Sequence, residues 1–493
     1  MLGSGTLGDP YIIQDVNDLQ DMNLDLAAHY VLGNDIDASE TLTWNGGEGF
    51  VPIGNFVDGP FTGSIDGAGY TISNLYENIT FGPCGLFGMV NTVFTIKNIG
   101  LNAEIITNQM LSSILVGYSL ADISIDNCHL SGSLTSAEMN AGGFVGNCDA
   151  AVEISNSSCQ ADIEGVAPIG GFVGAIIDKC TAVDTYFAGD ITGNGEGGTA
   201  GFVTHPGEGS SFVRCSYRGT MYGVSHASGF VCSADRNFLF EDCFCIADIS
   251  GGDYLAGFAP EMVTKTGQPA VFTRCFFVGT INGDEFLGSM IGDRDIATLD
   301  QCFAVGSLSA QDEAFAGGAV GEDRNSILSN CFARVDLTTV NPPASFCGGF
   351  AQGTKKSTFN NCYSAGIVPL GSPNNGGFCG YTISTKPSTF NACFYDTDVS
   401  GYSDTGKGEP KPTSWMKTST NFVSNGWDFT SIWFIDPSWN DGYPCFQWFR
   451  DNVLAGNYDT DTMTELASRG LIPAISPTVT APTVTTLPVT GVS

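Results

Sequence analysis

A short phrase rich in glycine recurs along this chain about once every 29 residues, and this repeat limits the possible folds more than any other feature. The clean copies occupy residues 85–88, 114–117, 143–146, 171–174 and 377–380, and degenerate copies fall between the last two. The ten intervals between the eleven copies range from 28 to 32 residues. A fixed period of this length indicates stacked copies of one structural unit rather than a globular domain of unique topology.

The repeats carry a strand signal rather than a helix signal. No segment within them holds apolar residues at helical spacing over three turns, whereas segments such as 247–250 and 306–309 alternate with the two-residue period of strands. Glycine contributes 64 of the 493 residues, and each glycine inside a helix would cost about 1 kcal/mol relative to alanine. The sequence therefore predicts an all-β fold, a parallel β-helix (β-solenoid) with about eleven coils and three strands per coil.

Cysteine marks a second column of the repeat. A large apolar residue stands three positions before most of these cysteines, a polar pair lies between, and an aromatic residue follows the later ones. This order predicts a strand, a polar corner and another strand, with cysteine and phenylalanine stacked in internal ladders. The predicted cysteine column contains Cys128, Cys159, Cys180, Cys215, Cys243, Cys275, Cys302, Cys331, Cys362 and Cys393.

Seventeen cysteines raise the question of disulfides. Stacked parallel side chains rarely offer the geometry that a disulfide requires, and a free cysteine behaves as a small buried hydrophobe. We therefore predict mainly buried thiols and folding in a reducing compartment, with some disulfides as the alternative. The cysteines outside the column stay open to either state: Cys84, Cys148, Cys232, Cys245, Cys347, Cys379 and Cys445.

Composition divides the chain into four parts. Residues 1–80 form an N-terminal cap with the first coils, with a small helix at 15–22, a strand at 30–37 and a strand, Asp-Gly turn and strand at 61–72. Residues 81–393 hold the β-helix repeats. Residues 394–448 are a closing module, and residues 449–493 contain a short helix at 464–470 and an extended tail rich in Pro, Thr and Val.

Charge excludes two classes of partner. The chain carries 52 acidic and 18 basic residues, which gives a formal net charge of −34. Without a basic patch, binding to nucleic acid or to an anionic membrane surface is not expected. No apolar run approaches the ~18–20 residues that span a bilayer, so membrane insertion is not expected either.

Several separated motifs fall outside the simple repeat or mark its best copies. They are Gly85-Leu86-Phe87-Gly88, Asn34-Asp35-Ile36-Asp37, Phe61-Thr62-Gly63, Ile65-Asp66-Gly67, Phe394-Tyr395-Asp396-Thr397, Gly426-Trp427-Asp428-Phe429 and Tyr443-Pro444-Cys445-Phe446. Together they resemble GLUG-motif repeat proteins over about residues 8–448. The resemblance implies a right-handed β-helix on surface-exposed, adhesin-like proteins, some of which also carry peptidase domains. It implies no catalytic residues, and no cofactor is expected.

Few residues suggest site chemistry. Asp396, Asp398 and Asp404 match half of a calcium-binding loop, but Lys407 stands where a bidentate glutamate would close it, so calcium is a minor hypothesis beside a polar turn. The acidic pair Glu241-Asp242 lies at a predicted corner, where a neighbouring coil could supply the second carboxylate of a glycosidase. The four histidines are scattered and show no metal-ligand spacing.

These features predict a non-enzymatic surface protein that serves structure or attachment. The expected setting is a virion, as a phage fibre, spike or head-decoration component made in the cytoplasm, because Met1 is not followed by a Sec signal peptide. The alternatives are a wall-anchored bacterial adhesin and a polysaccharide-cleaving β-helix enzyme. Expected partners are virion or cell-surface proteins, a host-surface glycan, or further copies of the chain.

The segment 487–491 reads Leu-Pro-Val-Thr-Gly and resembles a sortase signal. A sortase signal is followed by an apolar stretch and a basic tail, and the chain as given ends two residues later. In a tail already rich in Pro, Thr and Val, a composition-driven coincidence is the favoured interpretation, and wall anchoring is the alternative.

Overall fold

The computed structural model describes residues 1–234, 237–262, 268–311, 315–342 and 345–474. The described chain is a parallel β-solenoid, which confirms the predicted fold class. A typical coil runs through Phe94–Lys97, Gly100–Thr107, Ser112–Ser113 and Val116–Ser119 before the next coil begins. The third predicted strand of each coil is therefore split into two short strands by the glycine phrase.

Two long sheets run along the rod. Sheet 1 contains Tyr11–Ile13, His29–Leu32, Ser64–Asp66, Phe94–Lys97, Ile123–Asp126, Val152–Ser155, Cys180–Val183, Ser211–Val213, Leu239–Glu241, Ala270–Thr273, Ala297–Asp300, Ile327–Ser329, Thr358–Asn360 and Thr389–Asn391. Sheet 2 contains Ile36–Asp37, Thr71–Ile79, Gly100–Thr107, His129–Ser136, Ser158–Gly165, Tyr186–Ala188, Ile191–Gly193, Ser216–Gly223, Phe244–Gly251, Phe276–Gly283, Phe303–Ala310, Phe332–Thr339, Tyr363–Ser364, Phe394–Asp396 and Glu409–Lys411.

Two sets of shorter strands complete the coils. Sheet 3 contains Ser112–Ser113, Ala141–Gly142, Ile169–Gly170, Thr199–Ala200, His226–Ser228, Tyr254–Ala256, Leu287–Gly288, Phe315–Gly317 and Phe346–Gly348. Sheet 4 has two parts, the first with Phe87–Val90, Val116–Ser119, Val145–Cys148 and Val173–Ile176, and the second with Ser233–Ala234, Ala259–Met262, Ile291–Asp295, Val320–Arg324, Ala351–Lys355 and Cys379–Thr382.

Helices occur at both ends of the described chain. An antiparallel pair, Trp433–Phe434 with Cys445–Phe446, lies among the C-terminal ones. The α-helices are Val16–Gln20, Thr397–Ser400, Thr413–Met416, Ser419–Val423, Gln447–Ala455 and Thr460–Ser468, and the 3-10 helices are Asp21–Leu24, Ser39–Gly47 and Asn440–Gly442.

The N-terminal 80 residues extend the same stack. Three of their strands precede the eleven repeat strands in sheet 1. The predicted helix at 15–22 is present as Val16–Gln20, which is capped because the Asp15 carboxylate accepts two backbone N–H groups. The predicted strand at 30–37 is two strands, and the Asp-Gly turn within 61–72 joins sheet 1 to sheet 2 rather than closing a hairpin.

At the C-terminal end the predicted short helix is confirmed. It begins earlier than the sequence indicated, as Thr460–Ser468, and Gly470 follows it with a positive φ of 67°. The preceding helix Gln447–Ala455 was not predicted. The Pro/Thr/Val-rich tail and the sortase-like segment 487–491 lie outside the described residues.

The glycine phrase is required by close packing of neighbouring coils. A Cβ added to Gly171 would lie 2.1 Å from the carbonyl oxygen of Gly201, and one added to Gly174 would lie 2.6 Å from that of Ala141. Neither position has the positive φ that would otherwise favour glycine. The apolar residue inside the phrase points inward, so phenylalanines stack through the core, with ring centroids 4.4 Å apart for Phe172 and Phe202.

The polar corner between sheets 1 and 2 is confirmed, and it has one backbone conformation. Residues in this column adopt the left-handed region with φ between 48° and 57°, which asparagine tolerates better than most residues. Neighbouring corners are linked, as where the Asn127 amide donates to the Asn98 side-chain oxygen at 2.9 Å. The column contains Asn98, Asn127, Asn156, Asp184, Arg214, Asp242, Arg274, Gln301, Asn330, Asn361 and Ala392.

The cysteine column is shorter than predicted. Strand register stacks cysteine on cysteine from Cys215 to Cys393, but Ser157 and Thr185 occupy the same column in the two preceding coils. The assignment of Cys159 and Cys180 to this column was wrong. Cys159 pairs beside Leu130 in sheet 2 and Cys180 beside Val152 in sheet 1. Spacing alone could not separate these neighbouring core positions.

All seventeen cysteines are buried as free thiols. Burial away from water raises the pKa of the Cys180 thiol to about 12 and of Cys84 to about 12. Protonated thiols of this kind pack as apolar groups and react slowly. Buried thiols such as Cys84 and Cys180 therefore stabilise the core by packing.

Glu77 is a buried carboxyl near the first glycine phrase. Its Oε2 accepts the backbone N–H of Gly85 at 3.0 Å, and its Oε1 has no hydrogen-bond donor among the described residues. Burial raises the pKa of the Glu77 carboxyl to about 8. The folded state therefore holds a proton that the unfolded chain releases at a much lower pH.

The core phenylalanines give the first testable prediction. Phe230 stacks between Phe202 and Phe258 at 4.7 and 4.6 Å, so we expect Phe230→Ala to lower the free energy of unfolding by about 3–5 kcal/mol. Phe56→Ala is the control, because Phe56 is 53% exposed. Thermal and urea unfolding followed by circular dichroism would measure both. Equal losses in the two variants would contradict the stacked core.

Glu77 gives a pH-dependent prediction. Between the ordinary glutamate pKa of 4.5 and its folded value of about 8, the wild type loses stability as pH rises, by at most about 1.4 kcal/mol per pH unit. Glu77→Gln keeps an acceptor for Gly85 and cannot ionise. We expect its melting temperature to exceed that of the wild type by more at about pH 8 than at about pH 5. A difference between the two proteins that is independent of pH would contradict this assignment.

Candidate functional site

A ladder of aromatic rings runs along the outer face of sheet 2. The sequence predicted these residues as part of an internal ladder, but strand alternation places them on the outside of the solenoid. Neighbouring ring planes lie within 8° of parallel, and their centroids are 4.8–5.1 Å apart. We call this the outer ladder; its stacked members are Phe244, Phe276, Phe303, Phe332 and Tyr363, and Phe394 continues its column.

The predicted closing module, residues 394–448, and the helices that follow it up to residue 474 fold back over the outer ladder and bury it. We call the whole segment 394–474 the closing module. Phe449 packs edge-on against Phe303 at 5.2 Å, and Phe446 lies 5.5 Å from Phe332. Together with the outer ladder the module forms a second apolar core, separate from the core inside the coils. The sequence predicted a closing module but not that it runs back along the rod.

Two arginines on sheet 2 hold the closing module. Arg334 is 12% exposed and donates to Asn440 at 2.6 Å and to the Asp441 carboxylate. Arg218 donates twice to Asp459, at 2.7 and 2.9 Å, and lies 3.3 Å from Asp461. Strand register places both arginines in one column, with Ile246, Val278 and Val305 between them.

A cavity of about 270 Å³ opens where the closing module meets the end of the outer ladder. Tyr186, Ser216 and Phe244 line it from sheet 2, and Asn457 and Tyr458 line it from the closing module. The ring of Tyr458 packs edge-on against Phe244 at 5.5 Å. The sequence showed the aromatic residues that follow the cysteines, but it gave no signal that the module would end beside the first of them.

The three aspartates of the calcium hypothesis serve as structural acceptors. Asp396 is buried, caps the helix Thr397–Ser400, and accepts hydrogen bonds from Thr413 and Tyr443. Asp404 accepts the Gly377 backbone N–H at 3.1 Å and the Tyr395 hydroxyl at 3.2 Å.

Asp398 accepts the Thr413 backbone N–H at 2.9 Å. Among the described residues no group of three or more His, Cys, Asp or Glu side chains could hold a metal ion, so the structure does not gather these aspartates into a calcium cage. Calcium binding stays an untested prediction.

The acidic corner pair is engaged by an arginine. Arg274 donates to Glu241 at 2.8 Å and to both oxygens of Asp242, at 2.5 and 2.8 Å. These carboxylates hold the pKa of the Arg274 guanidinium above its ordinary value. A glycosidase needs one carboxyl that donates a proton, and a carboxylate paired with a permanent cation is poorly suited to that role.

A second aromatic stack lies on sheet 3. His226, Tyr254, Phe286, Phe315 and Phe346 stack with centroids 4.7–5.0 Å apart, and all five are half-buried. His226 Nε2 lies 3.8 Å from a carboxylate oxygen of Glu261. This stack presents ring edges along the rod beside acidic side chains.

Comparison with known proteins gives relatives by sequence but no family assignment. No family model matches the chain. The chain is 38% identical over 184 residues to halomucin of Haloquadratum walsbyi, and this alignment covers 35% of the chain and 2% of halomucin. The chain is 26% identical over 487 residues to a provisionally named Gly-rich membrane protein of Evansella cellulosilytica, and this alignment covers 95% of the chain and 48% of that protein.

Two further matches carry the name immunoglobulin A1 protease. The protein of Streptococcus sanguinis is 32% identical over 200 residues, 38% of this chain and 10% of that protein. A crystal structure from Bacteroides ovatus, provisionally given the same name, covers 90% of this chain and 94% of its own at 16% identity and a TM-score of 0.33. The chain spans less than half the length of each of the three relatives matched by sequence.

Membrane insertion was not expected from the sequence. Within the residues that the structure describes, no helix is long and apolar enough to cross a bilayer.

The arginine anchors give a prediction for the closing module. We expect Arg334→Leu to speed hydrogen exchange in Asn440–Gly442 and Thr460–Ser468 and to destabilise the module by about 1–3 kcal/mol, because Asn440 and Asp441 lose their donor. The control is Arg450→Leu, since Arg450 contacts Asp451 and the ring of Phe434, which both belong to the closing module itself. Hydrogen-exchange mass spectrometry would compare both variants. Unchanged exchange in Arg334→Leu would show that apolar packing alone holds the module.

Proposed function

We propose that this chain is a non-enzymatic rod displayed on a surface, where it serves attachment or assembly. The observation that carries the proposal is the continuous parallel stacking of sheet 1 from Tyr11–Ile13 to Thr389–Asn391. A solenoid of this kind presents an extended, regular surface to a partner rather than one enclosed pocket. The name of the Evansella relative, which aligns with 95% of the chain, supports a place at the cell envelope.

The rod could be displayed on either of two surfaces, that of a virion or that of a cell. The sequence predicted a virion component, such as a phage fibre, spike or head-decoration protein, and seventeen buried free thiols agree with folding in a reducing cytosol. The alternative is an adhesin on a cell surface. We favour the cell surface, because the halomucin and Gly-rich membrane protein names both come from cellular organisms.

The protease name does not change the proposed class. This chain covers 10% of the streptococcal protein that bears the name. We propose that the shared 200 residues are repeat coils that position other parts of that protein. The paired corner acids Glu241 and Asp242 likewise favour structure over polysaccharide cleavage.

The location can be tested in the native source. Intact cells and purified viral particles would each be treated with a protease that cannot enter them, and fragments of this chain would be counted by mass spectrometry. We expect release of its peptides from intact cells, with a cytoplasmic enzyme as the negative control. Release from particles alone would establish the virion setting. Peptides that appear only after lysis would contradict display on any surface.

A further inference from the structure

At the cavity the outer ladder ends at Phe244, and a further aromatic residue of the same column follows two coils away. Strand register places Tyr186, Ser216 and Phe244 in one column on three successive coils. Phe244 stacks on Phe276 with ring planes 5° apart, so its opposite face is turned toward the coil of Ser216. The small serine leaves the space of one ring between two aromatic residues.

The width of this gap matches one inserted ring. Successive coils lie ~4.8 Å apart, so Tyr186 and Phe244 are separated by about twice that distance along the rod. A ring placed midway would lie one coil spacing from the ring of Phe244, close to the 4.8–5.1 Å between the stacked rings elsewhere in the ladder, and one coil spacing from the coil of Tyr186. The cavity of about 270 Å³ at this place is too small for an extended ligand and suits a single ring unit.

The walls around the gap are polar, and both of their arginines are paired with carboxylates. Arg214 donates to both oxygens of Asp184 at 2.5 and 2.7 Å, and Arg218 donates to both oxygens of Asp459. Arg218 also lies 3.3 Å from Asp461, so an anionic sugar or peptide would have to compete with these carboxylates for either arginine. Arginine has five N–H donors and each carboxylate has several lone pairs, so both pairs can also bind ligand hydroxyl groups.

We propose that this gap binds one neutral hexopyranose unit of a surface glycan. The C–H face of a pyranose is apolar and matches the electron-rich face of an aromatic ring. Its hydroxyl groups can form hydrogen bonds with the arginine and carboxylate side chains of the walls. A purely apolar aromatic side chain in the same place would form none of these hydrogen bonds. Because Asp459 belongs to the closing module, the docked module completes the site. The assignment deepens the proposed attachment function and rests on it for its biological role.

The test fills the gap with a protein side chain. Saturation-transfer NMR on the purified full chain would use methyl glycosides of glucose, galactose, mannose and N-acetylglucosamine as probes, with p-cresol as an aromatic probe. We expect signal from at least one glycoside. Ser216→Phe completes the ladder and should abolish that signal, whereas the matched control Ser216→Ala leaves the gap open and should keep it.

Further variants keep the test decisive if Ser216→Phe fails to fold. Tyr186 is 39% exposed, so Tyr186→Ser should fold and weaken glycoside binding about tenfold. Tyr222→Ala is its control, because Tyr222 is 44% exposed and lies outside the cavity on the strand Ser216–Gly223. Circular dichroism would confirm the fold of each variant.

Three results would overturn the assignment. They are absence of signal from every glycoside with the wild type, persistence of the signal in Ser216→Phe, and signal from p-cresol alone, which would identify the gap as a dock for a protein aromatic side chain. Binding of a glycoside by a protein found only inside cells would overturn the surface function and leave the sugar site intact.

Discussion

The spacing between hydrogen-bonded parallel strands governs the whole molecule. Because each coil sits ~4.8 Å from the next, any residue type that recurs with the repeat is stacked on its own kind. The same spacing brings the backbones of neighbouring glycine phrases into contact. A Cβ on Gly171, for example, would collide with the carbonyl oxygen of Gly201 on the next coil. Phenylalanine gains most from this arrangement, since flat rings 4.4–4.7 Å apart fill the interval between coils.

The sequence predicted the features that repeat and failed on those that do not. The period, the glycine phrase and the polar corner could be predicted because eleven copies place similar residues in the same structural environment. Cys159 and Cys180 were misplaced because one substitution in one coil, Ser157 or Thr185, carries no periodic signal. The aromatic residues after the cysteines were predicted inside the rod, since a ladder on the outer face becomes apolar only when a distant segment covers it.

The closing module is the distant segment that covers the outer ladder, and its end forms part of the wall of the candidate site. Its contacts join residues far apart in the sequence, such as Arg218 and Asp459, and no local sequence pattern predicts them. In a chain with only 18 basic residues, two arginines in one column of sheet 2 contact carboxylates of the module. With a net charge of −34, such pairs also reduce the repulsion that the acidic module would meet on an acidic rod.

The core and the cavity therefore have the same physical origin. A ladder of rings is stable when every coil supplies one, and a coil that supplies a serine instead leaves a gap with two aromatic walls. Further along the column the closing module covers the rings, but beside Ser216 it contributes Asn457 and Asp459 to the wall of an open cavity. One change of residue in a repeat thus converts a packing surface into a binding surface without altering the backbone, which is why a solenoid can carry a specific site on a uniform frame.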